Sequence, residues 1–534
     1  MKNFTRKILS LFITLLSLKS FSLPILNSYP TATATIFLDF DGQTVNSSLW
    51  NGGSTLICAA APLSDVQIED VFKRVSEDYR SFDINITTDS TVFFAAPLNR
   101  RIRIIITPTS SWKPNVGGVS FTGSFKWGDN TPGFVFSDRL NNNTKYIADC
   151  CSHESGHTLG LSHQAKYDVN CTLLESYNTG LGGSSDQTSW APIMGSSYSK
   201  NISSWNNGPI PSGCTSYQDN LNIITSANNI NYRLDDFGDT LNEFTYVPEN
   251  SNTNITSTNS FSLSGNISKT EDKDAFKLIF DHTKRVNLSV NPFSVGVNND
   301  GANLDVKIMI YDGFKNLICI KDPKETMSVN LDTILEKGTY FVVIDGAGNN
   351  NMSDYGSVGN YTFNCSTSKI AIRSLALTGA AALDGHDLHW VTENPEAIAA
   401  QSVEISSDGV VFTTVTNVNI RSKDFHYTTN DNNVKYYRIN VTTVSDETVY
   451  SNVVSIKPAS TNLFKVNNLI QNQITVNASE NYQYKILDIN GRMIATGKGV
   501  KGYNNINMYN ASKGIYVIQF YGATTKSVER IIKQ

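Results

Sequence analysis

Three of the seven histidines in the chain, His153, His157 and His163, lie close together in the sequence. On a helix, His153 and His157 are one turn apart, so their imidazoles leave the same face and can bind one metal ion. Gly160 can adopt the left-handed conformation that ends a helix, which would return His163 as a third ligand. Three neutral nitrogen ligands with a fourth position open to water are the arrangement of a catalytic zinc site. The sequence therefore predicts Zn²⁺ as the cofactor.

Glu154 directly follows the first of these histidines and would lie at the edge of the metal ion. Zinc lowers the pKa of a bound water towards about 7 and polarises a carbonyl group. A carboxylate beside it can accept the water's proton and then deliver it to a departing amine. We therefore predict Glu154 as the general base of a hydrolase that attacks through a zinc-bound water.

The pattern His153–His163 reads HExxHxxGxxH and resembles the metzincin clan of zinc metallopeptidases. Members of that clan carry a methionine-bearing turn downstream, packed beneath the metal. The segment 191–195 (APIMG) fits that turn and makes Met194 the structural methionine. The resemblance covers roughly residues 33–240. It implies a secreted, zinc-dependent endopeptidase that hydrolyses peptide bonds of extracellular proteins.

The same resemblance implies an edge strand that binds an extended peptide substrate by strand addition. The residues predicted for it are Gly117, Gly118, Val119 and Ser120. Some metzincins also place a tyrosine two residues after the methionine, as a metal ligand or transition-state donor. Here Ser196 holds that position, and Tyr198 follows two residues later. Tyr198 is thus a candidate oxyanion helper, with ordinary loop packing as the alternative.

Hydrophobic periodicity predicts the elements that must position these residues, as strands and helices in alternation between about 32 and 240. The predicted helices are Ser64–Arg80 and Lys145–Leu159. The predicted strands are Thr35–Phe40, Phe82–Thr87, Ile102–Thr107, Val116–Phe125 and Gly133–Phe136.

The composition excludes several classes of protein. Charged residues make up 17% of the chain, against about 25% in typical soluble proteins, and aromatic residues make up 10%. A disordered chain would lack the aromatics, and a coiled coil would be rich in Glu and Lys. A net charge of −5 leaves no basic face for phosphates, so no nucleic-acid partner is expected.

After about position 246 the helical pattern ends, and short alternating strands between Asn, Gly and Asp clusters continue to the C-terminus. We therefore predict a multi-domain fold. An α+β catalytic domain, with a mixed sheet and an active-site helix, would be followed by three β-sandwich-type domains. The predicted ranges are 1–22 for a signal peptide, 23–245 for the catalytic domain, and 246–367, 368–459 and 460–534 for the β domains.

The N-terminus has the pattern of a secretory signal peptide. Lys2, Arg6 and Lys7 precede an apolar run at 8–18, which is too short to span a bilayer. No later segment is long and apolar enough for a membrane helix. We expect an exported protein that is extracellular or attached to the cell surface.

Each β domain resembles a known module. Residues 260–366 resemble the bacterial pre-peptidase C-terminal domain, through segments such as Asp272–Phe276 (DKDAF). Residues 370–457 look like a fibronectin type III-like sandwich. The last 73 residues resemble the type A C-terminal sorting domain of type IX secretion, through Tyr484–Gly491 (YKILDING) and a basic C-terminus. The resemblances imply two kinds of partner, the type IX secretion machinery and protein or peptide substrates.

Export makes disulfides permissible, and the chain has seven cysteines. The pairs we consider are Cys171 with Cys214 and Cys319 with Cys365, because each encloses a loop within one predicted domain. A structural Ca²⁺ ion is a further candidate cofactor. Asp39 and Asp41 would be its ligands, although a turn at the end of a strand also accounts for this pair.

Two alternative functions stay open at the level of sequence. One is a surface adhesin or binding protein in which the β modules dominate and the catalytic domain is vestigial. The other is a zinc protease directed at glycopeptides or mucin, which differs from the main prediction only in specificity.

Overall fold

The computed structural model describes residues 23–246, 260–457 and 463–534, apart from the single positions 185, 383, 432 and 524. The predicted signal peptide at 1–22 lies outside the described residues, as do the segments 247–259 and 458–462. The chain is mostly β-sheet with few helices, and it divides into two compact units between Ile370 and Ala371. Within the described residues, no helix has the length and apolar character needed to cross a membrane.

The N-terminal part of the first unit holds the four α-helices of the described residues and a set of mostly short strands. Its helices are Asp65–Asp78 (α1), Ser90–Ala95 (α2), Thr144–Thr158 (α3) and Asn220–Ser226 (α4). Its strands are Ala34–Asp39 (β1), Gln43–Val45 (β2), Leu56–Cys58 (β3), Ile84–Thr87 (β4), Arg101–Thr107 (β5), Gly118–Val119 (β6), Gly133–Phe136 (β7), Lys166–Tyr167 (β8), Leu173–Glu175 (β9), Trp190–Pro192 (β10), Ile202–Ser204 (β11), Asn207–Ile210 (β12), Gly213–Asp219 (β13) and Thr245–Tyr246 (β14).

A five-stranded sheet of order β4-β1-β5-β7-β6 forms the framework of this part. Its first four strands are parallel, and β6 runs antiparallel to β7 at the edge. Every residue of β1 is buried, which explains the apolar run Ile36–Leu38 at its centre, because a parallel strand is covered on both faces. Ile36 of β1 lies between Ile86 of β4 and Ile102 of β5.

Both long helices begin where the sequence predicts. Ser64 caps α1 through a capping box with Gln67, and the side chain of Asn143 caps α3 by accepting a hydrogen bond from the backbone of Tyr146. The two helices pack together, and the hydroxyl of Tyr79 donates a 3.0 Å hydrogen bond to the carbonyl of Ser152. The helix predicted for Lys145–Leu159 is confirmed, because α3 begins and ends within one residue of that range.

The edge strand is much shorter than the predicted Val116–Phe125. Only Gly118 and Val119 pair with β7. The chain then turns away through Gly123, whose φ of 79° is left-handed, and the backbone N–H of Gly123 donates to the carbonyl of His157 at 2.9 Å. The sequence pattern also missed the hairpin β2–β3 and the short helices α2 and α4.

The rest of the first unit is a β-sandwich. Its strands are Ser260–Ile267 (β15), Lys273–Phe280 (β16), Lys284–Pro292 (β17), Val306–Asp312 (β18), Leu317–Lys321 (β19), Val329–Leu335 (β20), Gly338–Gly346 (β21) and Gly359–Lys369 (β22). One sheet has the order β14-β16-β21-β18-β19 and the other β15-β22-β17-β20, and one apolar core lies between them. Strand β14, which the sequence places at the end of the catalytic domain, thus pairs with a strand of the sandwich.

Helix α1 carries polar contacts to this sandwich. The guanidinium of Arg74 donates two hydrogen bonds to the carboxylate of Asp300, at 2.8 and 2.6 Å. At the end of the helix, Asn303 donates a 2.9 Å hydrogen bond to the buried carboxylate of Asp78. Because Arg74 and Asp78 would each lose a hydrogen-bond partner without the sandwich, the two parts stabilise each other.

Asp78 also contacts α3 directly. Its carboxylate accepts a 2.5 Å hydrogen bond from the hydroxyl of Ser152, the residue before His153. Burial raises the pKa of Asp78 to about 7, and the hydrogen bonds from Ser152 and Asn303 oppose this rise. The ordinary value is 3.8, so the folded protein holds this proton more tightly than the unfolded chain does.

Asp78→Asn should therefore stabilise the protein relative to wild type more at pH 8 than at pH 5. The wild-type carboxyl group favours folding fully below its unfolded pKa, and that contribution is lost as pH rises through about 7. We expect a difference of about 1–3 kcal/mol between the two pH values, measured by denaturant unfolding. The control is Asp332→Asn, an exposed carboxylate of the sandwich. An Asp78→Asn effect that is equal at both pH values would contradict this prediction.

The second unit contains two pairs of sheets, each pair with its own core. The first pair uses Ser374–Ala381 (β23), Gly385–Glu393 (β24), Ile398–Ser406 (β25), Thr413–Val418 (β26), Asp424–Thr428 (β27), Lys435–Thr443 (β28), Thr448–Tyr450 (β29) and Val454–Ile456 (β30). Its sheets have the orders β23-β24-β27 and β26-β25-β28-β29, with β30 also paired to β28.

The C-terminal pair of sheets follows residue 462. Its strands are Phe464–Val466 (β31), Leu469–Ile470 (β32), Gln473–Ala478 (β33), Tyr482–Asp488 (β34), Met493–Gly499 (β35), Gly502–Asn507 (β36), Gly514–Tyr521 (β37) and Lys526–Lys533 (β38). They form sheets of order β31-β33-β36 and β32-β38-β37-β34-β35. The core between them includes the stacked rings of Phe464 and Phe520.

One of the two predicted disulfides forms. Cys171 and Cys214 are bonded, with their Cα atoms 5.5 Å apart, which confirms that pair. The predicted pair of Cys319 and Cys365 is wrong, and both cysteines are free. Cys319 belongs to β19 and Cys365 to β22, which lie in opposite sheets of the sandwich. β19 is an edge strand of its sheet and β22 is an inner strand of the other, so whether the two thiols can meet depends on strand positions that spacing in sequence does not give.

Candidate metal centre

The three predicted ligands meet in space. His153 and His157 leave the last two turns of α3, and each of the three histidines offers a ring nitrogen within 4.8 Å of the others. The Nε2 atoms of His157 and His163 are 3.0 Å apart. All three imidazoles are partly exposed, so the cluster is open to water on one side.

Gly160 returns the third histidine to the cluster, as predicted. Its φ of 103° is left-handed, and the N–H of Leu161 donates back to the carbonyl of Gly156 at 3.0 Å. This hydrogen bond and the one from Gly160 N–H to the carbonyl of His157 close the helix end in a Schellman motif. A side chain with Cβ at position 160 would strain this turn and displace His163.

Backbone carbonyls fix the orientation of both helical histidines. Nδ1 of His153 lies 2.8 Å from the carbonyl oxygen of Ile193, and Nδ1 of His157 lies 2.7 Å from that of Leu161. An Nδ1–H that donates to a carbonyl leaves Nε2 as the free lone pair, and this is how metal-binding histidines are usually held. Both Nε2 atoms are therefore in the form that a metal requires.

The histidines are neutral in this environment. Burial lowers the pKa of His153 to about 3, helped by the nearby ring of His157. Burial likewise lowers the pKa of His157, and it lowers that of His163 to about 4. Three neutral imidazoles directed at one point fit zinc, which binds nitrogen ligands with one position left for water or substrate.

Glu154 is buried against the edge strand. The hydroxyl of Ser120 lies 2.6 Å from its Oε2 and 2.9 Å from its backbone carbonyl oxygen. Burial raises the pKa of Glu154 to about 8, and the hydrogen bond from Ser120 opposes this rise. A Cβ at position 118 would stand 2.7 Å from Cγ and Oε1 of Glu154, so Gly118 leaves the room that the carboxylate fills.

Met194 lies beneath α3. The side chain is fully buried, and its Sδ would be 2.6 Å from a Cβ at Gly156, the residue before the second histidine. The neighbouring backbone takes part as well, because Ile193 holds His153 and the carbonyl of Met194 accepts from the N–H of Gln164 at 2.8 Å. The turn thus supports the cluster through both its backbone and its side chain.

Two tyrosines flank the site in different ways. Tyr198, the candidate oxyanion helper, packs its ring against Tyr146 with centroids 5.3 Å apart, and its hydroxyl contacts the thiol of Cys150. Tyr177, which the sequence did not single out, packs against His163 with ring centroids 4.1 Å apart and the two rings tilted by 40°. Its ring is about half exposed and so borders the open side of the cluster.

The backbone of the next residue, Asn178, holds Tyr177 in this position. The N–H of Asn178 donates to the carbonyl of Gln164 at 2.8 Å, and its own carbonyl accepts from the N–H of Ser196 at 2.9 Å. The loop is thereby joined to the residues that follow His163 and Met194. In the sequence, Tyr177 is recognisable only as an aromatic residue between Cys171 and Cys214. That position does not indicate which side chain Tyr177 contacts.

The predicted substrate strand has a defined position at the sheet edge. Gly118 and Val119 form β6, which is the outer strand of the sheet. On either side of it, the carbonyl of Gly117 accepts from the N–H of Phe136 at 2.7 Å, and Ser120 bonds to Glu154. The edge and the predicted general base are therefore in direct contact.

The aspartates considered as calcium ligands lie at the end of β1. Asp39 is buried and forms an ion pair with Arg103 at 2.8 Å. Burial raises the pKa of Asp39 to about 7 despite this cation. The ion pair supports the structural alternative for this pair of aspartates, and the calcium site stays a prediction.

Comparison with known families identifies the C-terminus. Residues 468–534 match the family described as secretion system C-terminal sorting domain. The chain therefore carries a type IX sorting domain, which directs export and gives a secreted or cell-surface location. This domain also implies contact with the secretion machinery. No curated protein sequence matches the chain.

Solved structures show only distant similarity. A β-1,2-glucanase from Parabacteroides distasonis is 14% identical over 38% of this chain, with a TM-score of 0.15, and the chain spans about a third (32%) of the glucanase. The pre-peptidase C-terminal domain of collagenase from Bacillus anthracis is 11% identical over 20% of this chain and 88% of its own, with a TM-score of 0.15. Fibronectin(III)-like modules of Clostridium thermocellum CbhA are 10% identical, and the match covers 31% of this chain and 93% of the modules with a TM-score of 0.15. Similarities of this degree assign neither fold nor function.

Proposed function

We propose that this protein is an exported zinc-dependent endopeptidase of the metzincin type that hydrolyses peptide bonds of extracellular proteins. The single observation that carries the proposal is the convergence of His153, His157 and His163, with their ring nitrogens within 4.8 Å of one another. The supporting observations are the buried Glu154 beside them and Met194 beneath the helix. The sorting domain is consistent with work outside the cell.

The three histidines would hold the metal through Nε2. When bound, zinc supplies Lewis-acid chemistry, because it acidifies a water molecule and polarises the scissile carbonyl. Glu154 accepts the proton of the attacking water and returns it to the departing amine. Ser120 keeps the carboxylate in place through its 2.6 Å hydrogen bond.

The substrate would add to the sheet beside β6. An outer strand has backbone N–H and C=O groups free to pair with an extended peptide. Because Ser120 follows β6 directly and contacts Glu154, a peptide on this edge would pass beside the general base. Tyr177, on the open side of the histidine cluster, would border the bound peptide.

A cleavage assay tests the proposal. The full chain from residue 23 is incubated with casein and with a library of proteome-derived peptides, and new N-termini are identified by mass spectrometry. We expect cleavage that stops with a zinc chelator and returns with zinc. Zinc bound at one equivalent without any cleavage would refute the peptidase and favour a surface adhesin. If only glycosylated substrates are cleaved, the protein is a protease directed at glycopeptides or mucin and not a general endopeptidase.

A further inference from the structure

A second group of carboxylates lies far from the histidines in sequence. It combines the loop after Arg233 with the start of β16. Asp235, Asp236 and Asp274 place one oxygen each within 4.8 Å of one another, and Asp235, Asp239 and Asp272 do the same. Asp235 belongs to both triads, so the five carboxylates form one cluster.

Several oxygens of this cluster are buried with no partner. Asp272 is 1% exposed and Asp274 is 0% exposed, yet Oδ1 of each accepts no hydrogen bond within the described structure. The same is true of Oδ1 of Asp239 and of Asn266, whose backbone N–H donates to Asp236. Burying a carboxylate oxygen without a hydrogen-bond partner costs free energy. A cation bound between these oxygens would account for their arrangement.

Among the described residues, Lys269 acts on Asp235 only through its charge and forms no ion pair with the cluster. None of the five carboxylates has a lysine, arginine or histidine nitrogen within ion-pair distance in the described parts of the chain. Lys273, which stands between Asp272 and Asp274, instead pairs with Asp345 at 3.2 Å. Burial and the neighbouring carboxylates raise the pKa of Asp274 to about 9, as expected for negative charges that repel one another.

The protein holds the cluster in place by packing and backbone hydrogen bonds. The ring of Phe237 lies 4.9 Å from that of Phe276 in the sandwich core, and the N–H of Ala275 donates to the carbonyl of Gly238 at 2.8 Å. The other oxygens of the buried pair are fixed, because Ser268 N–H donates to Asp272 and the hydroxyl of Tyr361 donates to Asp274, each at 2.5 Å. The free oxygens are thereby preorganised.

We propose that Asp235, Asp236, Asp239, Asp272 and Asp274 bind calcium and thereby join the end of the N-terminal part to the β-sandwich. The donor set consists of carboxylate oxygens with the amide oxygen of Asn266 beside them, and calcium takes six to eight such ligands. Oxygens on opposite sides of an ion with bonds of about 2.4 Å are about 4.8 Å apart, which the triads satisfy. Zinc would prefer the imidazoles of the other site.

Calcium binding to the full chain from residue 23 tests this site without reference to activity. The chain is freed of calcium, loaded with zinc and dialysed against about 1 mM CaCl₂ or MgCl₂. We expect at least one calcium ion per chain by elemental analysis and a Tm higher by at least about 3 °C in calcium than in magnesium. Wild-type protein that binds no calcium under these conditions would overturn the proposal.

A variant pair localises the site. Asp235→Asn with Asp239→Asn changes the less buried ligands, so folding should survive. We expect it to lose the bound calcium and the rise in Tm while its zinc content stays at one equivalent. Asp332→Asn, which removes an exposed carboxylate of the same sandwich, should behave as wild type. If the double variant binds as much calcium as wild type, these carboxylates are not the ligands.

Terbium provides a second readout that does not depend on any variant folding well. Because the hydroxyl of Tyr361 bonds to Asp274, terbium bound in the cluster of wild-type protein should luminesce on excitation of tyrosine. Calcium should displace it and quench the emission, and magnesium at the same concentration should not. Emission that calcium leaves unchanged would contradict the site.

Discussion

Replacing Glu154 by glutamine is expected to lower kcat for peptide cleavage by at least about 10³-fold while the protein keeps its zinc. Glutamine has the same shape and can still accept the hydrogen bond from Ser120, so the local packing is retained. It cannot accept a proton from water, so the acid–base step is lost. The three histidines are unchanged, and the metal content should stay at one equivalent.

The measurement combines elemental analysis with a peptide assay on the same preparations. Glu69→Gln is the matched control, because Glu69 is exposed on α1 and pairs with Lys73. That control should retain wild-type kcat and zinc. A Glu154→Gln protein that cleaves at a near wild-type rate would show that another group acts as the base.

Deleting residues 463–534 is expected to reduce the protein in the culture medium to background and leave it inside the cell. These residues contain the matched sorting domain and form sheets around a core of their own. The histidines lie in the other compact unit, so zinc binding and peptide cleavage should persist in the retained protein.

Cell fractionation with an activity assay checks both parts of this expectation. A chain that lacks residues 371–457 and keeps 463–534 is the matched control, since it loses a sandwich and retains the sorting domain. It should still reach the medium. Equal export of the full-length and tail-deleted chains would mean that the C-terminal domain is not the address for export.

The local geometry of the metal centre could be predicted from sequence because it depends on short spacings. The positions of His153, His157 and Gly160 on and after one helix fix where their groups point, and the structure has α3 at Thr144–Thr158. The same holds for the start of the first long helix, which the sequence predicts at Ser64 and which Ser64 caps. Such signals need no knowledge of the rest of the fold.

Features that depend on distant parts of the chain were missed. Tyr177 reaches His163 only because Asn178 bonds to two other loops, and the acidic cluster joins Asp235 to Asp272 across the start of the sandwich. The error over Cys319 has the same origin, because its distance from Cys365 depends on which sheet each strand joins. Spacing in sequence contains no information on these contacts.

The contacts of α1 with the sandwich form another long-range feature. The sequence divides the chain into a catalytic domain and a separate β domain, whereas the structure groups both in one compact unit up to Ile370. Asp78 contacts both Asn303 of the sandwich and Ser152 beside the first histidine. We therefore expect the support of the active-site helix to include the sandwich.

A zinc titration of the metal-free protein, followed by peptide cleavage, shows whether the three histidines form a catalytic zinc site. We expect no cleavage without metal and a rate that rises linearly with added zinc until one equivalent per chain, where it levels off. The variant His157→Ala, which lacks one of the three converging ligands, should show no such rise over the same range. Full cleavage without metal, or bound zinc at one equivalent with no cleavage of any peptide, would mean that this protein is not a zinc peptidase.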